Sequence, residues 1–520
     1  MMSLFSPFRV AQSAIAPEIR TLGIREQYRD RYWLKRDPIY RDRLLWRAQS
    51  FRHMVHLLPG QTILELGCGC GLFTQSLAQV SRGENPITAV TFNAEMNAPE
   101  PRPGSVRFVN ATLEPEALEG QQFDYVVAMD LLDAENCAWF LQNVHELLKP
   151  GGQILFYESN PWNPVLRFRR LLSQWSGQKD PRHLISRPKL YELISELGFI
   201  RVFAIFNDFV YPPLNRPLIW FLRNLSILLE NTPILQTFAG SILVHAQKPP
   251  RIVPRPNQSL CEYESLRKAV SIVIPCHNEE MNIQPLITLL QELYGDYIHE
   301  IIPVDDNSKD RTGMILQQLA ETDSTIKPVY RTPPNGVGRA IAEGYRVATG
   351  QYVLSMDCDF QHLLPELRDL FDAAAQNYDV VVGSRFSRHS VLLNYPIQKI
   401  LANRGFHFLA RFLFLGSDIR DLTNNLKLMR REVVEQLQLT QPGFAINAET
   451  GLQPLLMGYS VKEVPISWIN RTPDMGVSSF RLVKVGGGYW QVLFRLWLKT
   501  IVDPRFRRKY QRISKHERTN

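Results

Sequence analysis

The sequence contains no uninterrupted run of 18 or more apolar residues, the length that a helix needs to cross a bilayer. Its first 20 residues also lack the continuous apolar core and small-residue cleavage site of a secretory signal. We therefore expect neither a membrane-spanning helix nor signal-directed secretion.

Cysteine is scarce, with six residues in 520 and no CxxC pair. Scattered cysteines of this kind indicate a reducing compartment and no structural zinc site. The expected location is therefore cytoplasmic.

The formal charge is +8 and the pI is about 9.1, which favours an anionic partner such as a phosphorylated substrate, nucleic acid or an acidic membrane. No recognised RNA-binding or DNA-binding module accompanies this charge, so nucleic acid is not expected. The length of 520 residues exceeds what one hydrophobic core usually organises and predicts two domains.

A proline-rich segment, residues 249–268, separates two halves in which apolar strand patterns alternate with helical patterns. This alternation predicts an α/β fold with two doubly wound domains. The expected boundaries are a first domain at 1–248 with an N-terminal helical extension, the linker, a second domain at 269–497 and a basic tail at 498–520.

In the first half, the stretch TILELGCGCGLFT (62–74) combines a strand, a glycine-rich turn and the start of a helix. Glycines allow a ligand to approach the backbone closely, and an acidic side chain at the strand end can accept its hydrogen bonds. A tight turn that only packs is the alternative.

With FDYVVAMDLLD (123–133), ELLKPGG (146–152) and QILFYES (153–159), this stretch resembles the class I S-adenosylmethionine-dependent methyltransferases over about residues 45–248. The resemblance implies a Rossmann-like fold and S-adenosylmethionine as cofactor. Two positions depart from the usual pattern, because Asn93 and Thr112 stand where acidic residues are expected. A structural remnant of a methyltransferase is therefore the alternative to an active enzyme. The cofactor-binding residues implied are Glu65, Gly67, Gly69, Gly71, Asn93 and Thr112.

In the second half, three predicted strands end in polar residues, in AVSIVIPCHNEE (269–280), EIIPVDDNSKDRTG (300–313) and YVLSMDCDFQH (352–362). Parallel strands open their carboxyl ends onto one crevice, where ligands of open α/β sheets bind. Asp357 and Asp359 lie two residues apart, and their mutual repulsion calls for a cation. Carboxylate and amide oxygens suit Mg²⁺ or Mn²⁺.

These blocks, together with GSRF (383–386) and EVPISWINR (463–471), resemble inverting glycosyltransferase family 2, most closely the polyprenyl-phosphate enzymes of the dolichol-phosphate mannosyltransferase type. The resemblance implies a GT-A fold, a nucleotide-diphosphate sugar as donor and polyprenyl or dolichyl phosphate as acceptor. It implies metal ligation by Asp357, Asp359 and Gln361, and catalytic roles for Asp359, Arg385 and Arg471. Arg385, Lys399 and Asn403 would hold the acceptor phosphate. The donor-binding residues implied are Pro275, His277, Glu279, Val304, Asp305, Asp306, Asp357 and Cys358.

The chemistry of the acceptor decides whether a base is needed. A lipid phosphate is already ionised at neutral pH, whereas a hydroxyl acceptor requires a carboxylate to remove its proton, for which Glu449 is a candidate. A transferase that builds a polysaccharide or glycolipid, and a methyltransferase-like scaffold without methyl transfer, remain alternatives. The chain also departs from the family at DLTNNL (421–426), where Asn425 replaces a glycine, and at MGVSSF (475–480), where Ser479 replaces a lysine.

Two apolar segments with interleaved cations, 410–416 and 489–502, precede the basic tail. Such segments are typical of amphipathic helices that lie on an anionic membrane. A core helix followed by a disordered tail is the alternative. We expect a protein peripheral at the cytoplasmic membrane face.

Overall fold

The chain forms two compact units, Met1–Pro254 and Arg255–Asn520. The computed structural model describes residues 17–34, 39–93, 95, 104–175, 183–209, 222, 225–250, 259–358, 364–387, 389–393, 395–414, 420–469 and 482–502.

The first unit is built on a seven-stranded sheet with the order β3-β2-β1-β4-β5-β7-β6. Strands β1 to β5 are parallel, and β7 runs antiparallel to both β5 and β6. The strands are β1 Ile63–Leu66, β2 Ile87–Thr91, β3 Val106–Asn110, β4 Phe123–Met129, β5 Leu148–Ser159, β6 Ile200–Asn207 and β7 Ser241–Gln247.

Helices cover this sheet, which is why the central strands are apolar on both faces. All four residues of β1 are buried, and β4 is buried at every position except its second. The helices are α1 Pro17–Leu34, α2 Ile39–Met54, α3 Leu72–Val80, α4 Cys137–Leu147, α5 Pro164–Trp175 and α6 Arg187–Glu196.

The second unit contains another seven-stranded sheet, with the order β10-β9-β8-β11-β14-β12-β15. Strand β14 is antiparallel to its neighbours β11 and β12, whereas the other pairs are parallel. Strands β13 and β16 pair separately. The strands are β8 Val270–Cys276, β9 Ile298–Asp305, β10 Val329–Tyr330, β11 Tyr352–Ser355, β12 Val380–Ser384, β13 Val391–Leu393, β14 Lys427–Arg430, β15 Val461–Pro465 and β16 Ser467–Ile469.

One group of helices in the second unit forms its own apolar cluster at residues 406–414, 445–456 and 492–496. Among the described residues, no helix combines the length and apolarity needed to cross a bilayer. The helices are α7 Ile283–Tyr294, α8 Thr312–Thr322, α9 Val337–Val347, α10 Leu367–Ala375, α11 Ile397–Leu413, α12 Arg431–Gln436, α13 Ile446–Met457 and α14 Leu482–Val502.

The fold class predicted from the sequence, two α/β domains, is confirmed. The C-terminal part of the predicted linker is packed. Leu266 is buried, and the Tyr297 hydroxyl accepts hydrogen bonds from the amides of Glu262 and Tyr263. Residues 259–268 therefore pack as part of the second unit. Residues 251–258 and most of the tail, 503–520, lie outside the described residues.

Candidate functional site

The acid-bearing ends of β8, β9 and β11 lie side by side in the second unit. Strand β8 is the central one, pairing in parallel with β9 through Cys276 and Asp305 and with β11 through Val273 and Ser355. The three strand ends therefore open at one edge of the sheet, as the sequence predicts.

Hydrogen bonds fix the turns that follow β8 and β9. The Asp306 amide donates to the Cys276 carbonyl at 2.9 Å, and the His277 ring lies 2.9 Å from the Asp306 carbonyl. The Asp305 carboxylate accepts from the Ser308 amide at 3.0 Å. These contacts bring the predicted donor-binding residues of two strands to one surface, where the His277 ring is exposed.

The remaining predicted donor-binding residues differ in what they can offer. Val304 is fully buried in the core, so only its backbone can contact a ligand. The Glu279 carboxylate accepts from Asn282 at 2.6 Å. Asp306 pairs with Arg331 and accepts from the Gly336 amide at 2.5 Å. Arg331 lies 25 residues after Asp306, and no pattern in the sequence singles it out.

Asp357 follows β11 and is held by a side chain from a distant loop. The Asn425 amide donates to Asp357 at 2.8 Å and accepts from the Ser355 hydroxyl at 2.6 Å. Asn425 is thus the residue that orients this carboxylate, although the sequence marks it only as a departure from the family pattern. Cys358 is buried. Asp359 and Gln361 lie outside the described residues, as does Arg471.

Arg385 lies in a buried ion pair with Asp421. Its Nε and Nη2 donate to the two carboxylate oxygens at 2.7 and 2.9 Å, and its backbone amide donates at 3.0 Å. Asp421 is 0% exposed. Despite this burial, Arg385 holds the pKa of Asp421 well below its usual range. The pair is charged, and the guanidinium is rigidly placed.

Lys399 and Asn403, on α11, lie around the same pair. Asn403 donates to Asp421 at 3.2 Å and to Thr423 at 2.8 Å. The Lys399 ammonium and the Arg385 guanidinium lie 5.9 and 6.0 Å from the ring centre of Tyr395. The structure thus brings together the three residues predicted to hold the acceptor phosphate, and their role in binding it stays a prediction.

Two further charged residues of the second unit, Lys427 and Glu449, are buried. Lys427, at the start of β14, donates to the Asn447 carbonyl at 3.1 Å, and burial lowers its pKa to about 7. Glu449 is fully buried and accepts from the Thr440 amide and hydroxyl, the Gln441 amide and Arg495. The Glu449 carboxylate therefore joins α13 to α14 and to residues 440–441.

In the first unit, the glycine-rich turn has the backbone that the sequence predicts. Gly67, Gly69 and Gly71 have positive φ angles of 69°, 55° and 74°. Glu65 is buried at the end of β1, and burial raises its pKa to about 7. Its Oε2 makes no hydrogen bond with the described residues, so Glu65 could accept one from a ligand.

Side chains of this unit already engage the other predicted cofactor groups. Asn93 accepts from Gln27 at 3.0 Å, and the Thr112 hydroxyl donates to Asn110 at 2.7 Å. The Gly69 amide donates to Glu26, and the Cys70 amide donates to Asp30 at 2.8 Å. The glycine turn is therefore present, but helix α1 lies on it.

Both units have Rossmann-like sheets, and in the second unit acidic and cationic side chains gather at the carboxyl ends of the strands. The chain matches the family model described as glycosyl transferase family 2 at residues 271–438. It matches the model described as a methyltransferase domain at residues 63–152.

Two relatives match part of the chain. A dolichol-phosphate mannosyltransferase of Pyrococcus furiosus is 32% identical over 202 residues, which cover 38% of this chain and 56% of that protein. A polyprenol monophosphomannose synthase of Mycolicibacterium smegmatis is 33% identical over 214 residues, covering 40% of this chain and 79% of that protein. The chain thus spans little more than half of the first relative. It belongs to glycosyl transferase family 2.

A solved structure, glucosyl-3-phosphoglycerate synthase of Mycobacterium tuberculosis with Mn²⁺ and uridine-diphosphate-glucose, is also similar. Its identity to this chain is 20% and its TM-score is 0.33, and the match covers 44% of this chain and 78% of that one.

Proposed function

We propose that the second unit transfers a sugar of the mannose or glucose type from a nucleotide diphosphate to polyprenyl or dolichyl phosphate. The observation that carries the proposal is the loop of residues 421–425, whose two ends hold the two parts of the site. Asp421 pairs with Arg385 at 2.7 Å, and Asn425 donates to Asp357 at 2.8 Å. The similarity to a dolichol-phosphate mannosyltransferase and a polyprenol monophosphomannose synthase supports this donor and acceptor class.

A divalent cation fits the donor end of the proposed site. Asp357 is partly buried directly after β11, and its orientation is fixed by Asn425. Such a hard oxygen ligand suits Mg²⁺ or Mn²⁺. Together with Asp359 and Gln361, Asp357 would hold the ion, which when bound offsets the charge of the leaving diphosphate.

The acceptor end of the proposed site is cationic. Arg385 and Lys399 both lie on the Tyr395 ring, on the side of the loop that carries Asp421. A phosphate oxygen of the acceptor would attack the anomeric carbon, and the bond from that carbon to the diphosphate oxygen would break, with inversion. Because the attacking oxygen already carries a negative charge, this reaction requires no proton acceptor.

The buried position of Glu449 supports a phosphate acceptor over a hydroxyl acceptor. A general base must lie within hydrogen-bond reach of the proton that it removes. Glu449 is fully buried and engaged by residues 440–441 and Arg495. The candidate base that a hydroxyl acceptor would need is therefore committed to the fold.

Two helices give this unit an apolar surface suited to a lipid acceptor. Helix α11 exposes Leu401, Phe408 and Phe412, and α14 exposes Trp490 and Phe494. The inner sides of both helices pack together, as in the edge-to-face contact of Phe406 with Tyr489 at 5.5 Å. Exposed apolar side chains on helices that also carry cations fit peripheral binding to an anionic membrane.

Transfer of labelled sugar tests the proposal. The full chain is incubated with radiolabelled GDP-mannose or UDP-glucose, Mg²⁺ or Mn²⁺, and vesicles that contain undecaprenyl or dolichyl phosphate. The expected result is label in the lipid phase, lowered about tenfold or more by Lys399→Ala.

The matched control is Lys462→Ala, because Lys462 lies over the Tyr378 ring at 5.5 Å in the same kind of contact but on β15. We expect Lys462→Ala to transfer sugar at the wild-type rate. Label that reaches only hydroxyl acceptors, or no lipid-linked product from any nucleotide sugar, would overturn the proposal.

A further inference from the structure

Helix α1 lies at the place where the methyltransferase fold offers groups to its cofactor. In open α/β sheets this place is the crevice at the carboxyl ends of the strands, with the glycine turn and the end of the second strand as its walls. Residues 17–34 lie outside the region that matches the methyltransferase model, residues 63–152.

The acidic side chains of α1 take the backbone donors of the glycine turn. Glu26 accepts from the Gly69 amide, and Asp30 accepts from the Cys70 amide at 2.8 Å. A Cβ added at Gly69 would overlap the Asp30 carboxylate. The space that glycine leaves for a ligand is therefore filled by this helix.

The same helix also engages the end of β2. Glu26 accepts from the Phe92 amide at 2.8 Å and from the Thr91 hydroxyl at 2.7 Å. Gln27 donates to Asn93 at 3.0 Å. These are the groups that would contact the ribose of a cofactor, including the predicted residue Asn93.

Arg29 compensates the carboxylates and reaches a third strand. Its Nη2 donates to Asp30 at 2.8 Å, and its Nη1 donates to the Met129 carbonyl, at the end of β4, at 3.1 Å. Arg29, Glu26 and Asp30 are all buried. Burying charged groups is favourable only when they are paired and hydrogen-bonded, so this network is a specific docked arrangement.

We propose that α1 is an intramolecular competitor of S-adenosylmethionine: its side chains occupy the cofactor crevice, and the cofactor binds only when residues 17–34 leave it. The residues of the crevice thus do not accept the cofactor in this arrangement. The inference concerns the first unit alone and does not depend on sugar transfer by the second.

Calorimetry of the full chain with S-adenosylmethionine tests the competition. The double variant Glu26→Ala, Asp30→Ala removes the contacts to the glycine turn and to β2, and we expect it to bind at least about tenfold more tightly than the wild type. The control is Glu18→Ala, which removes an acid from the half-exposed first turn of α1 and should leave the affinity unchanged. Equal affinity of the wild type and the double variant, or no binding by a double variant with a normal thermal unfolding transition, would overturn the proposal.

If the double variant does not fold, hydrogen exchange of the wild type tests the competition instead. With 1 mM S-adenosylmethionine, the expected result is faster exchange in the peptide that covers 17–34 together with slower exchange in the peptide that covers 63–72. No change in either peptide would overturn the proposal. New protection of 63–72 while 17–34 keeps its slow exchange would mean that helix and cofactor bind together, which overturns the competition.

Discussion

Each unit has a crevice at the carboxyl ends of its parallel strands, and the two differ in the helix that lies beside that crevice. In the first, the amides of Gly69 and Phe92 bond to α1, a helix that turns buried charged side chains toward the strand ends. In the second, the neighbouring helix α11 brings Lys399 and Asn403 to the site and carries exposed phenylalanines further along. In the first unit, the motif thus sets the backbone of the glycine turn, whereas a helix outside the matched region supplies the side chains that bond to its amides.

The buried pair of Arg385 and Asp421 should produce the largest effect. Asp421→Asn leaves Arg385 buried without its counter-charge, and we expect the free energy of unfolding of the second unit to fall by about 3–5 kcal/mol. The measurement is urea unfolding followed by hydrogen exchange in peptides from residues 352–430.

The control for Asp421→Asn is Glu343→Gln, which breaks the exposed ion pair of Glu343 with Arg346, 2.6 Å apart on α9. This pair should contribute less than about 1 kcal/mol. Equal losses from the two variants would show that the site around Arg385 is no more rigid than the protein surface.

The sequence predicts the fold and the placement of the strand ends because both depend on local patterns. Apolar runs of strand length that end in Asp, Asn or His define β8, β9 and β11 directly. Parallel pairing then brings Asp305 and Asp357 to one edge of the sheet.

The partners of these residues are not predictable in the same way, because they come from distant segments. Asp421 lies 36 residues from Arg385, and Asn425 lies 68 residues from Asp357. In α1, Glu26, Arg29 and Asp30 look like an ordinary solvated face, since charged residues are seldom buried. Only the three-dimensional arrangement reveals that this face is turned inward.

The stabilities of the two units should depend on pH in opposite directions, because each unit buries a group with a pKa of about 7. The pKa of Glu65 is raised from 4.5 by burial, so the folded first unit binds the proton more strongly, and its stability should fall as the pH rises from about 4.5 to about 7. The pKa of Lys427 is lowered from 10.5 by burial, so the stability of the second unit should rise between about pH 7 and 10.5.

Glu65→Gln and Lys427→Met should each remove one of these pH dependences. Between the unfolded and folded pKa values, the free energy of unfolding should change by on the order of 1 kcal/mol per pH unit. Thermal unfolding of both variants and the wild type at pH 5, 7 and 9 measures the effect, with hydrogen exchange to assign each transition to a unit. A slope that survives unchanged in its variant would show that another group is responsible.

Asn425 tests whether the second crevice depends on a residue that the family pattern lacks. Asn425→Ala leaves Asp357 without its 2.8 Å hydrogen bond, and loss of such an orienting contact typically lowers metal affinity or activity about 10- to 100-fold. We expect slower sugar transfer that is partly restored by raising the Mn²⁺ concentration. A reduced rate that no metal concentration restores would instead assign Asn425 a purely structural role beside Ser355.

The smallest effect is expected at the outer end of α11, where the contrast with α1 is clearest. Phe412 is 74% exposed, and burying part of a phenylalanine in a membrane interface contributes about 1–2 kcal/mol. Phe412→Ser should therefore weaken binding of the full chain to anionic vesicles about tenfold, measured by co-sedimentation. Met314→Ser, which removes a half-exposed apolar side chain from α8 of the same unit, is the control and should have no effect. Equal losses from the two substitutions would show that vesicle binding is nonspecific and that α11 does not direct the second crevice toward a lipid surface.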